Sequence, residues 1–128
     1  MIGFAVNGAA GRMGRRITAL LAEEPDSELV CALEAPDHAD VGKDAGLLAG
    51  IGQIGVAVGA QLDGEPDVLL DFSGPQATVE RALECARQGV AVVIGTTGLS
   101  DEQIGTIEHE VACAVPVLRA PNMSVGVN

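Results

Sequence analysis

Val6-Asn7-Gly8-Ala9-Ala10-Gly11-Arg12-Met13-Gly14-Arg15-Arg16 follows directly on the apolar stretch 2–6, and its reading decides the fold. A short apolar run that ends in glycines is a buried strand handing the chain through a tight turn into a helix. The first N–H groups of such a helix have no partner within it. With the positive end of the helix dipole they attract a phosphate. Gly8 serves the turn, Gly11 lets a phosphate approach the backbone, and Gly14 lets helix and strand pack closely. The spacing is G-x-x-G-x-x-G rather than the commoner G-x-G-x-x-G, so the glycines do not identify a dinucleotide by themselves. Glu34, which closes the next apolar run about twenty residues on, adds the acidic partner that a ribose requires.

The bulk numbers agree. A chain of 128 residues is read as one domain, 1–128. Hydrophobic residues make up 48%, yet Phe4 and Phe72 are the only aromatics, so the core rests on Val, Ile, Leu and Ala. That is the composition of a parallel sheet covered by helices. The formal charge of -11 speaks against nucleic acid and anionic membrane surfaces as partners. A small anionic ligand is still allowed, because its site depends on local charge. Arg12, Arg15 and Arg16, three of the seven basic residues, stand beside the glycine loop. They read either as a solvated helical turn or as a local attraction for an anion.

Cys31, Cys85 and Cys113 are odd in number and widely spaced, which predicts buried free thiols and a reducing, cytoplasmic setting. No secretory-signal pattern and no apolar run of membrane length is present.

Strand-like and helix-like segments alternate. Strands are expected at 2–6, 29–33, 56–58, 68–72, 90–94 and 115–118. A helix over 12–23 is expected to bury Met13, Ile17, Leu20 and Leu21. The segment 35–52 is a loop with at most one helical turn. A helix over 75–88 begins at Pro75 and is closed by Gly89, and another begins at Ser100, with Gln103 completing a capping box. The alternation is that of a doubly wound, Rossmann-type α/β sheet with helices on both faces. The polar and glycine-rich motifs at 8–14, Glu34, 71–74, 95–98 and 120–124 each follow a strand, so all should face one crevice.

Within that crevice Glu34 can accept hydrogen bonds from both hydroxyls of an adenosine ribose. A 2′-phosphate would meet its carboxylate, and Ala35-Pro36-Asp37 supply no cation. This favours NADH, with NADPH possible. Gly95-Thr96-Thr97-Gly98 reads either as a capping turn or as a cradle for a carboxamide or carboxylate. Asp71 reads first as a polar strand end, and His38 and His109 as solvated. No metal spacing and no nucleophile–base pair is evident. The absence of Tyr excludes short-chain dehydrogenase chemistry, and the absence of Gly-Lys-Ser/Thr excludes a P-loop.

The glycine loop at 8–14, the segment GKDAGLLAG at 42–50, Asp71-Phe72-Ser73, Gly95-Thr96-Thr97-Gly98 and APNMSVGVN at 120–128 together resemble the dihydrodipicolinate reductase family. The resemblance runs the length of the chain. It implies hydride transfer from NADH or NADPH to a cyclic dicarboxylate in lysine and diaminopimelate biosynthesis. It also implies residue roles. Gly8, Ala9, Ala10, Gly11, Arg12 and Met13 would hold the pyrophosphate, and Glu34 the ribose. Gly95, Thr96 and Thr97 would reach the nicotinamide, with Thr97 near a substrate carboxylate. Ala120, Pro121, Asn122 and Met123 would line the nicotinamide pocket. Some members carry Arg where this chain has Ala35, a departure that again favours NADH.

The family continues into a second domain that binds substrate, carries the catalytic His and Lys, and builds a homotetramer. Neither His38 nor His109 matches those residues, so no catalytic residue is assigned within 1–128. The expectation is a truncated chain or isolated cofactor domain, monomeric, that binds dinucleotide with little turnover. Two other readings stay open: the Rossmann domain of an aspartate- or homoserine-type dehydrogenase, and a non-catalytic NAD(H)-binding regulatory module.

Overall fold

Alternate residues of the central strands face opposite sides of one sheet, and both sides are apolar. Ala5, Leu33, Leu69, Val92 and Ile94 look one way; Val6, Ala32 and Leu70 look the other. The structure, a computed structural model, describes residues 1–120. Its strands are β1 (Ile2–Asn7), β2 (Ser27–Leu33), β3 (Val58–Gly59), β4 (Val68–Asp71), β5 (Ala91–Ile94) and β6 (Val117–Arg119). All pairings are parallel, in the order β3-β2-β1-β4-β5-β6. Helix α1 (Arg12–Glu23) and the single turn α2 (Ala45–Leu48) cover one face. Helix α3 (Pro75–Gln88) covers the other, with α4 (Asp101–Thr106) and its π-helical continuation Ile107–Val111. This is the doubly wound sheet expected, with its switch point between β1 and β4.

The local signals hold where one residue decides. Pro75 opens α3, and Gly89 ends it with a φ of +75°. Ser100 Oγ accepts the Gln103 N–H at 3.1 Å while Gln103 Oε1 accepts the Ser100 N–H at 2.8 Å, a complete capping box.

Five expectations change. Leu20 is 52% exposed rather than buried, and α1 instead packs through Gly14, Thr18 and Leu21. Gly14 must face the glycine loop, and that rotation carries Leu20 about 120° away around the helix. β6 starts at Val117, because Val115 still bonds back to Val111 and Pro116 has no N–H to donate to a ladder. β3 is displaced to Val58–Gly59, and β4 ends at Asp71, since Phe72 turns out of the strand. Cys113 is exposed, so only Cys31 and Cys85 are buried thiols.

The loop between β2 and β3 is ordered by one side chain. Asp44 accepts the N–H groups of Gly46, Leu47, Ile54 and Gly55 at 2.8–3.2 Å. Desolvation works against its charge, but these four donors outweigh it and hold the carboxyl below the usual range.

Asp71, at the carboxyl end of β4, is 1% exposed. Its Oδ1 accepts Asn7 Nδ2 at 2.8 Å and Ser73 Oγ at 2.6 Å; its Oδ2 accepts Thr78 Oγ1 at 2.6 Å and Thr96 Oγ1 at 2.7 Å. One carboxylate thus joins β1, the turn after β4, α3 and the loop after β5.

Two outcomes follow. Asp71→Ala leaves several buried donors unpaired and should lower unfolding free energy by about 3 kcal/mol in urea titrations. Burial pushes the Cys31 thiol up to about 11 and the Cys85 thiol to about 12, from an ordinary 9.0. The two should therefore resist alkylation at pH 8 while Cys113 reacts, as peptide mass mapping would read. Their share of stability is fully present below pH 9.0 and is lost as pH rises through the folded values of about 11 and about 12.

Candidate dinucleotide site

The cradle is built from backbone. Gly8 has a φ of +87°, and a side chain there would strike the Phe72 carbonyl. A side chain at Gly14 would strike the Gly8 carbonyl, so the helix can approach the loop only through glycine. The loop is anchored by the Gly8 and Ala9 N–H groups, both on the Leu33 carbonyl at 2.9 and 3.1 Å. Gly11 caps α1 without any side-chain hydrogen bond, and the first turn holds no acidic residue. The N–H groups of Arg12 and Met13 are thereby left to a ligand. Such a cradle fits a pyrophosphate.

Beside it lies a cleft of about 640 Å³ at the carboxyl ends of β1, β2 and β4, within the range of small-molecule sites. Gly8, Gly11, Glu34, Phe72 and Ser73 line it. Glu34 Oε2 accepts the Ala10 N–H at 2.8 Å, which fixes the carboxylate against the glycine loop and leaves Oε1 open. His38 also lines this cleft, half-buried, with Nδ1 accepting the Asp40 N–H at 3.0 Å; it is not simply solvated. His109 is exposed, as expected.

The motif after β5 divides its labour. Gly95 is required because the Phe72 ring lies where a side chain would stand. The Thr96 hydroxyl is committed inward: it donates to Asp71 and accepts the Ser73 N–H at 3.0 Å. Only the Thr96 backbone is left for a ligand. Thr97 is exposed and lines a smaller cleft of about 190 Å³ with Gly98, Leu99 and Arg119. The Ala120 N–H bonds the Ile94 carbonyl at 2.8 Å, which sets residue 120 beside this end of the crevice. Pro121, Asn122 and Met123 lie outside the described residues.

Arg12, Arg15 and Arg16 are exposed and do not line the main cleft. The cation there is Arg81, from the second turn of α3, a residue with no motif around it. Its side chain is 13% exposed and its Nη1 lies 2.8 Å from Glu84 Oε1. Nη1 also donates to the Ala60 carbonyl at 3.1 Å, and Nε to Asn7 Oδ1 at 3.3 Å. Asn7, 2% exposed, passes this contact to Asp71 and Ser73 through Nδ2. Helical spacing ahead of position 81 was the available signal, since residues 77, 80, 81 and 84 share one face. Among the described residues no group of His, Cys, Asp and Glu has the arrangement of a metal site. Among them, too, no helix is long and apolar enough to cross a membrane.

Comparison with known proteins agrees with this geometry. The family model described as dihydrodipicolinate reductase, N-terminus, matches residues 2–123. The 4-hydroxy-tetrahydrodipicolinate reductase of Methanopyrus kandleri is 44% identical over 134 residues, covering 100% of this chain and 49% of that protein. That of Citrifermentans bemidjiense is 47% identical over 131 residues, with the same coverage. The chain therefore spans about half the length of the curated relatives it matches. Among solved structures, a dipicolinate-bound dihydrodipicolinate reductase from Paenisporosarcina sp. superposes with a TM-score of 0.75 at 29% identity, over 98% of this chain and 49% of that one. An aspartate semialdehyde dehydrogenase from Candida albicans, with a TM-score of 0.66 at 17% identity over 93% of this chain and 42% of that one, shares the fold alone. The glycine cradle, the Glu34 carboxylate fixed against it and the match over residues 2–123 lead to one conclusion: the chain belongs to the dihydrodipicolinate reductase family and is its N-terminal, NAD(P)-binding part.

Proposed function

We propose that this domain binds NADH in preference to NADPH and presents its nicotinamide for hydride transfer to a cyclic dicarboxylate held by a second domain. The observation that carries the reading is the Glu34 carboxylate, fixed on the Ala10 N–H beside an uncapped helix N-terminus. In that reading the backbone of Gly8, Ala9, Ala10, Gly11, Arg12 and Met13 holds the pyrophosphate. Glu34 accepts the ribose hydroxyls. Gly95, Thr96 and Thr97 bound the nicotinamide end, Thr96 through its backbone alone and Thr97 through a hydroxyl free to meet a substrate carboxylate. Ala120, Pro121, Asn122 and Met123 complete the nicotinamide pocket. When bound, the cofactor supplies the hydride; proton donation and the remaining substrate contacts belong to the second domain.

Charge supports the preference. Glu34, Glu80 and Glu84 line the cleft against the single arginine there, Arg81. A 2′-phosphate adds about two negative charges to that surroundings. The same reading places the domain in the cytoplasm, as a monomer by itself and within a homotetramer when joined to the second domain.

Isothermal titration of the chain should give NADH binding about tenfold tighter than NADPH, the scale of one or two like-charge contacts in a partly screened cleft. Tighter NADPH binding would overturn the preference, and binding of neither would overturn the site. Glu34→Gln should weaken NADH about tenfold through loss of charge-assisted bonds to the ribose, with a much smaller effect on NADPH. Assayed by NADH absorbance with the cyclic substrate, the 128-residue chain should bind cofactor without turning it over.

A further inference from the structure

The inference rests on the cleft being a dinucleotide site. We propose that Glu84 is a specificity-determining residue, selecting against a 2′-phosphorylated cofactor by keeping Arg81 in a neutralised pair. A guanidinium is the side chain best suited to phosphate, because its planar donors match the oxygens in pairs. This cleft contains one. Arg81 is the single arginine or lysine lining it among the described residues, while Arg12, Arg15 and Arg16 lie outside. Three of the five Arg81 N–H donors are nevertheless engaged, and its charge is paired. Its Nη1 is shared between Glu84 Oε1 at 2.8 Å and the Ala60 carbonyl at 3.1 Å, and its Nε is on Asn7 Oδ1 at 3.3 Å.

The pair is half-shielded, with side-chain exposures of 13% for Arg81 and 25% for Glu84, so screening by water is incomplete. Asn7 and Ala60 are neutral acceptors and leave the positive charge intact. Glu84 alone cancels it. Removing the Glu84 charge should therefore give the cleft an uncompensated cation. The gain falls on the ligand with the extra phosphate charge far more than on NADH.

Glu80 provides the internal comparison. It lies on the same helical face, lines the same cleft, is exposed, and forms no ion pair among the described residues. Glu80→Gln removes one negative charge without releasing Arg81. Glu84→Gln removes one charge and releases it.

The test is the ratio of dissociation constants, NADPH over NADH, measured by titration at fixed low ionic strength on the 128-residue chain and its variants. Circular dichroism checks that each variant is folded. Glu84→Gln should lower the ratio about fivefold, the order of one released charge in a partly screened cleft, and Glu80→Gln by less than about twofold. The double change Glu84→Gln with Arg81→Gln should return the ratio toward that of the unaltered chain. Normal NADH binding with an unchanged ratio in Glu84→Gln would overturn the inference alone, as would equal effects of Glu80→Gln and Glu84→Gln. Failure of the unaltered chain to bind either cofactor would overturn the site and the inference with it.

Discussion

A carboxylate buried without a cation survives only if its oxygens are filled by donors, and Asp71 is such a group. Its four donors come from Asn7, Ser73, Thr78 and Thr96, which lie at the end of β1, in the turn after β4, in the first part of α3 and after β5. Each needs its own element in place before it can reach. The carboxylate therefore sets the carboxyl ends of three neighbouring strands at a common level, and the crevice opens on that level. A ligand at such a switch point needs this levelling more than any direct contact with Asp71.

The same network extends into the cleft wall. Asn7 gives both Nδ2 hydrogens inward, to Asp71 and Ser73, so its Oδ1 is turned outward to Arg81. The guanidinium is thereby held from three sides, with Glu84 as its charged partner. Binding and folding share atoms here. Thr96 is the clearest case, since its place in the motif after β5 suggests a ligand contact while its hydroxyl is consumed in supporting Asp71. Thr97, one residue on, is exposed.

The two ends of the crevice use different chemistry. Around the glycine loop the groups on offer are backbone N–H groups and one fixed carboxylate, and close approach is possible because Gly8 and Gly14 carry no side chain. That arrangement suits a pyrophosphate and a ribose in any dehydrogenase of this fold. At the far end, among the described residues, Thr97, Gly98, Leu99 and Arg119 line a smaller cleft.

Much of this was legible from residues alone, for a physical reason. Strand–helix alternation, the turn at Gly8, Pro75 opening α3, Gly89 closing it and the Ser100–Gln103 box are rules of a few adjacent residues, and local sterics enforce them anywhere. Glu34 was legible because a strand end delivers it to a predictable place. What needed the tertiary structure was every choice between distant partners. Asn7 meets Asp71 across 64 residues and Arg81 across 74, and no periodicity encodes either meeting. The rotation of α1 was decided by where Gly14 had to touch, which turned Leu20 outward against the apolar pattern. The sequence by itself determined the elements, their order and the kind of ligand. The structure decided which polar groups hold the fold, and that Arg81, rather than the arginines beside the loop, lines the main cleft. Long-range hydrogen bonds and charge pairs form only once the sheet has brought its strand ends together.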